Sequence, residues 1–150
     1  MSSPLPLEFR HNAMLQMVED ANRTFPHECC GFLLGNSTPV HRDIEEILVV
    51  DNRVESNAAR RFAISPLDYM RAERHALASG LELLGIYHSH PSHPAIPSIH
   101  DLRVAMPNFS YVILSVYPEG LATIRSWRLN TNQNFSEEPI LNSISAPWHN

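Results

Sequence analysis

Residues 81–91 read Leu81-Glu82-Leu83-Leu84-Gly85-Ile86-Tyr87-His88-Ser89-His90-Pro91, and a proline-punctuated break leads into Pro97-Ser98-Ile99-His100-Asp101. The run from Leu81 to Tyr87 is nearly all apolar, the pattern of a central strand buried on both faces. Positions i and i+2 of an extended chain face the same way. His88 and His90, at the end of that strand, therefore direct two imidazoles into one space. Asp101 lies three residues after Ser98, one helical turn on, so the two share a side of the short helix predicted from Ser98 to about Ala105. Two imidazoles and a carboxylate make a three-ligand set for catalytic Zn²⁺, with a fourth position left for water. Taken piecemeal, the same residues have blander readings. The histidines serve as ordinary strand-end residues, and Ser98 with Asp101 forms a capping box. Capping and ligation are compatible, since a cap fixes both side chains. With nine His in 150 residues, an H-x-H pair arises by chance roughly once in two such chains; adding Pro91, Ser98 and Asp101 lowers that to roughly one in ten thousand.

Outward from this stretch, strand and helix patterns interleave. Leu5 to Phe9 is a candidate first strand. From Asn12 to Phe25, Met14, Met17, Val18, Ala21 and Phe25 recur at helical spacing, and Pro26 stops the helix. Cys30 to Leu34, closed by Gly35, and Ile44 to Val50 read as strands, with a polar loop from Asp51 to Arg60. Ser65-Pro66-Leu67-Asp68 opens a second helix that runs to Ser79 and stops at Gly80. Tyr111 to Val116 and Leu121 to Trp127 form a hairpin across Tyr117-Pro118-Glu119-Gly120. Phe135 to Ile140 is a weak strand, and the last ten residues are expected to be loose. The pattern predicts a mixed α/β or α+β class, a single mixed β-sheet flanked by helices. One domain accounts for residues 1–150, with a core at about 5–128 and a tail at 130–150. Met14, Met17 and Met70 are expected in the core.

Composition limits the chemistry. All 11 basic residues are Arg, so lysine nucleophiles and Schiff bases are excluded. The net charge of −5 offers no basic excess to neutralise phosphates, which argues against nucleic acid as a partner. No apolar run approaches the length of a membrane span, and the N-terminus lacks the pattern of a signal peptide. Cys29 and Cys30 are adjacent and cannot staple a fold, so a reducing, cytoplasmic setting is expected. Cys30 reads as a small buried residue, His93 and His100 as solvated neighbours of the histidine pair, and Arg60 and Arg61 as a solvated pair.

The string H-S-H-P, six residues, then S-x-x-D resembles the signature of the JAMM (MPN-plus) zinc metalloproteases. Upstream, Pro26-His27-Glu28-Cys29-Cys30-Gly31-Phe32-Leu33-Leu34-Gly35 looks like that family's glutamate-bearing strand. The resemblance covers roughly residues 5–128 and is closest to the small stand-alone prokaryotic members. It implies an MPN-type sheet with a cytidine-deaminase-like architecture. It also implies His88, His90 and Asp101 as zinc ligands, Glu28 as general base and Ser98 as stabiliser of the tetrahedral intermediate. Alone, Glu28 reads as a surface residue at a strand start. The implied substrate is the Gly-Gly tail of a ubiquitin-like or sulfur-carrier protein, cut just after that tail.

Three other functions share part of this pattern. A non-heme iron oxygenase also uses two His and a carboxylate, usually in an all-β barrel with ligands far apart in sequence. A non-catalytic MPN scaffold typically lacks part of the signature. A zinc nucleobase deaminase needs H-x-E and P-C-x-x-C, and neither is present.

Overall fold

The computed structural model describes residues 5–142. Its elements follow in the order β1 (Leu7–Phe9), α1 (His11–Thr24), β2 (Cys30–Ser37), β3 (Arg42–Val50), α2 (Pro66–Ser79), β4 (Glu82–Pro91), α3 (Ile99–Val104), β5 (Ser110–Tyr117), β6 (Gly120–Leu129) and β7 (Phe135–Glu138). The seven strands join one sheet in the order β1-β3-β2-β4-β5-β6-β7. The pairs β1–β3 and β4–β5 are parallel and the other four antiparallel, so the sheet is mixed, as expected. Its two edges meet. Beyond β7, the Leu7 N–H donates to Pro139 O and the Leu141 N–H to Leu7 O, each at 2.8 Å. Asn142 then bonds both the N–H and the carbonyl of Phe9. Leu141 and Asn142 are thus tied down, against the expectation of a loose tail; residues 143–150 lie outside the described residues.

The curl wraps α1. Met14, Met17, Val18 and Ala21, at i, i+3, i+4 and i+7, are all buried against Leu33, Ile44, Tyr87, Val112 and Leu114. On the opposite face, Cys30, Phe32, Leu34, Ile86 and Tyr111 pack under Ala72 and Ala76 of α2. Strands β2 and β4 are therefore covered on both sides, which is why their sequences run apolar rather than alternating. Helix α2 has the ends its sequence specifies. Ser65 Oγ accepts from the Asp68 N–H, Pro66 opens the first turn, and Gly80 closes it in the left-handed region at φ 68°. Met70, expected in the core, is 40% exposed: it falls on the outer side of α2, where the Ala72 and Ala76 stripe makes the contact.

Gly31, Gly35 and Gly85 mark close approach, Gly31 to the Leu48 carbonyl and the Tyr87 ring. Gly35 does not end β2, which runs on to Ser37. It sits where the register to β3 shifts, and a Cβ there would lie 1.7 Å from the Asp43 carbonyl oxygen. Gly85 follows a matching irregularity in β4, and a Cβ would lie 2.0 Å from Ser110 O in the parallel neighbour β5. That oxygen belongs to a backbone and cannot swing aside. Gly85→Ala should therefore cost at least about 2 kcal/mol, since overpacking against a fixed wall sits at the upper end of its usual range. A urea melt checks this, and a loss under about 0.5 kcal/mol would contradict the close approach. Among the described residues, no helix is long and apolar enough to cross a membrane.

Candidate metal centre

Strand β4 runs through both histidines to Pro91, further than its apolar stretch predicts. Ile86, His88 and His90 alternate onto the α2 face, while Tyr87 and Ser89 point to the other. Tyr87 Oη donates to Asp20 of α1 at 2.7 Å, and Ser89 Oγ accepts from the Cys29 N–H at 2.8 Å. This second bond continues the β2–β4 pairing past Cys30↔His88. It brings Glu28, two residues before Cys30, onto the histidine face. Glu28 is 2% exposed, so its reading as a surface residue is overturned: the chain before β2 is held inside by Ser89 and by the Glu28 N–H donating to Ala58 O at 2.8 Å.

Asp101 arrives from α3. Ser98 Oγ accepts from the Asp101 N–H at 3.0 Å, and the Ser98 N–H donates to Asp101 Oδ2 at 2.9 Å. Both halves of the capping box are made. The cap aims the carboxylate at the histidines. His88 Nε2 lies 3.2 Å from Asp101 Oδ1, His90 Nε2 3.2 Å from Oδ2, and the two Nε2 atoms are 3.3 Å apart. All three side chains are buried. Ser98 is exposed at the rim. Because its oxygen accepts the cap bond, its hydroxyl proton remains free to donate outward.

Each ring is held from behind. His88 stacks on Phe62 at a centroid distance of 4.4 Å, and His90 on His93 at 4.2 Å. His93 is half-buried rather than solvated, tied by its Nδ1–H to Pro91 O and by its carbonyl to Ser115 Oγ. His100 is half-buried, whereas Arg60 and Arg61 are exposed as expected. Phe62, which the sequence reading did not single out, could have been flagged as the aromatic after Arg60-Arg61 in an otherwise polar stretch.

The electrostatics favour a cation at the convergence point. His90 Nδ1 faces the carbonyl of Pro94 at 2.8 Å, so it must donate, and in the neutral ring Nε2 then carries a lone pair. That lone pair faces Asp101 Oδ2 with His88 Nε2 beside both, so a cation at the convergence point would relieve two opposed lone pairs. The spacing fits a metal: bonds of about 2.0–2.1 Å arranged tetrahedrally put ligand atoms about 3.3 Å apart. Burial lowers the pKa of His88, which keeps its ring neutral and able to ligate. Burial pushes Asp101 upward. Its contacts with His88, His90 and the Ser98 N–H outweigh that and hold it well below the usual carboxylate range. Glu28 behaves oppositely: burial, with a smaller contribution from the Asp101 charge, pushes it up to about 8. Its Oε1 is buried with no hydrogen-bond partner among the described residues. The two cysteines are buried free thiols, both pushed up by burial.

Comparison with known proteins agrees with this architecture. The family model described as prokaryotic homologs of the JAB domain matches residues 11–130. A desampylase of Pyrococcus furiosus is 32% identical over 76% of this chain and 75% of its own length. A probable TtuB-protein conjugate cleaving protease of Thermus thermophilus is 34% identical over 61% of this chain and 57% of its own. Among solved structures, a protein of Desulfitobacterium hafniense superposes with a TM-score of 0.79 at 29% identity, covering 90% of this chain and 91% of that one. A JAB1/MPN domain protein of Archaeoglobus fulgidus shares the fold at a TM-score of 0.55 and 16% identity, over 92% and 100% of the two chains. On the family match across most of its length, this chain belongs to the prokaryotic JAB-domain family.

Proposed function

We propose that this chain is a zinc-dependent peptidase or isopeptidase. It hydrolyses the bond after the C-terminal Gly-Gly of a ubiquitin-like or sulfur-carrier protein. One observation carries the reading: two buried imidazoles and a buried carboxylate converge at 3.2–3.3 Å, on the face that also buries Glu28 with an oxygen that has no partner among the described residues. A buried carboxylate oxygen without a donor is costly unless it serves a ligand or a reaction. It also disfavours the non-catalytic scaffold, which has no use for it.

His88, His90 and Asp101 hold the zinc in this reading. Zinc bound there supplies Lewis-acid polarisation and a water whose pKa falls toward about 7. With zinc held there, Glu28 would face a positive charge that offsets the Asp101 contribution and would favour its ionised form. Glu28 takes the proton of the attacking water through Oε1 and delivers it to the leaving amine as the C–N bond breaks. The Ser98 hydroxyl donates to the oxyanion that develops on the scissile carbonyl. At the end of β4 the backbone is paired by β2 and β5, so an extended tail enters over the exposed rim at Ser98 rather than as an added strand. Glycine at the cleavage point lets the tail approach closely, because it lacks a Cβ. The names of the relatives, a desampylase and a TtuB-conjugate protease, support a ubiquitin-like substrate class. The cytoplasmic setting belongs to the same proposal.

The test is mass spectrometry of small ubiquitin-like carriers bearing extensions after Gly-Gly. The extension should be released by the zinc-loaded protein, spared after chelation, and released again when zinc is restored. Chelator-insensitive cleavage, or equal cutting at non-glycine sites of an unfolded protein, contradicts the reading. Within it, Ser98→Ala should keep its zinc and lose about 10²–10³-fold in turnover, the usual cost of one oxyanion donor. A purely structural cap would instead cost about 1 kcal/mol of stability at unchanged rate, which a thermal melt beside the rate measurement distinguishes.

A further inference from the structure

The loop between β3 and α2 touches both halves of the centre, and one residue organises it. Asn52 Nδ2 donates to the Glu28 carbonyl at 3.1 Å and to the Arg61 carbonyl at 2.9 Å. Its Oδ1 accepts from the Val54 N–H at 3.1 Å and the Ala63 N–H at 3.0 Å. Both donors and both acceptor lone pairs of the amide are thus used. The same loop returns to Glu28 from the other side, since Ala58 O accepts the Glu28 N–H at 2.8 Å. Glu28 itself lies before the first residue of β2, outside the ladder that fixes Cys30 onward. Its backbone is therefore held by the loop on both its polar groups. Phe62, next in sequence to Arg61, is the ring stacked on His88.

We propose that Asn52 is a positioning residue for Glu28: its side-chain amide locks the 51–63 loop onto the Glu28 backbone and so sets where the Glu28 carboxylate stands relative to the His88–His90–Asp101 group. The proposal rests on the reading of Glu28 as general base. Asparagine suits the task because it offers two donors and two acceptors in one plane. Aspartate keeps the acceptors for Val54 and Ala63 but loses the donors to Glu28 and Arg61. Alanine loses all four bonds. The aspartate variant therefore tests the two donor bonds with the acceptor half of the loop closure intact. A base displaced by about 1 Å can lose about 10²-fold in rate while substrate binding is untouched.

The experiment compares the parent, Asn52→Ala, Asn52→Asp and Glu28→Gln as zinc-loaded full chains. Zinc content, kcat and KM are measured on a carrier with a C-terminal extension, and amide hydrogen exchange is followed by NMR. Both Asn52 variants should keep one zinc per chain, lose about 10-fold to 100-fold in kcat, and shift KM by less than about threefold. Exchange at the Glu28 amide should accelerate at least about tenfold in both, while Phe32 and Leu33 inside β2 stay protected. If Asn52→Asp turns over at the parental rate, the loop needs only its acceptors and the proposal is overturned. Unchanged exchange at the Glu28 amide overturns it equally. Parental turnover in Glu28→Gln overturns the reading of the base, and the proposal with it. That failure is recognisable because it occurs with Asn52 intact.

Discussion

Asp101→Ala should fold but fail to hold zinc, and should lose its turnover with the metal. Among the described residues the carboxylate is the one anion facing both imidazoles, each of its oxygens 3.2 Å from a different ring nitrogen. Without it, two imidazoles remain, short of the three protein ligands of a catalytic zinc site. Removing an outer-shell partner of a metal site already costs about 10–100-fold in affinity, so removing a ligand should cost more. The substitution also breaks half of the capping box, worth about 1 kcal/mol. Asp101→Asn keeps that half, since an amide oxygen can still accept from the Ser98 N–H, while deleting the charge. Elemental analysis and thermal melts of the two variants check the expectation. Zinc at parental affinity in either would show that Asp101 is not a ligand.

Glu28→Gln should keep both fold and zinc and lose about 10²–10⁴-fold in turnover, the usual cost of losing general-base catalysis. Glutamine preserves the volume of the buried side chain but cannot accept the proton. The substitution has a second signature in stability. In chelated protein, burial holds the Glu28 carboxyl up at about 8, against an ordinary 4.5. Between pH 7 and 8 the unfolded chain has already released that proton while the folded chain still carries it. Folding then binds a proton, and stability falls as pH rises, by about 1 kcal/mol over that unit. Asp101, held well below the carboxylate range, is ionised throughout this window, and His88, lowered by burial, stays neutral. Denaturant melts of the chelated parent should show the slope, and Glu28→Gln should flatten it. A parental rate in Glu28→Gln would remove Glu28 from the mechanism.

Much of this centre was legible because it is local in sequence. The apolar run before His88, the i, i+2 spacing and the Ser98 cap each act over a few residues, and the structure reproduces all three. Helix α2 was legible for the same reason, with Ser65, Pro66 and Gly80 at its ends. What escaped depends on tertiary neighbours. Gly35 looked like a strand end, yet it is a point of contact with Asp43 inside a longer strand. Met70, expected in the core, lies on the outer side of α2, 40% exposed. Glu28 is buried through Ser89 and Ala58, 61 and 30 residues away in sequence. Asn52 looks like any polar loop residue until the fold brings Glu28, Arg61 and Ala63 around it. The closure of the sheet by Pro139 to Asn142 onto β1 leaves no pattern in either segment alone.

The central claim is a zinc ion between His88, His90 and Asp101, and anomalous diffraction from a crystal grown with zinc tests it most directly. The account predicts one strong peak per chain at the zinc edge, about 2.0–2.2 Å from His88 Nε2, His90 Nε2 and an Asp101 carboxylate oxygen. It should vanish in crystals of Asp101→Ala. No peak at these three residues, or a zinc held elsewhere in the chain, would contradict the account.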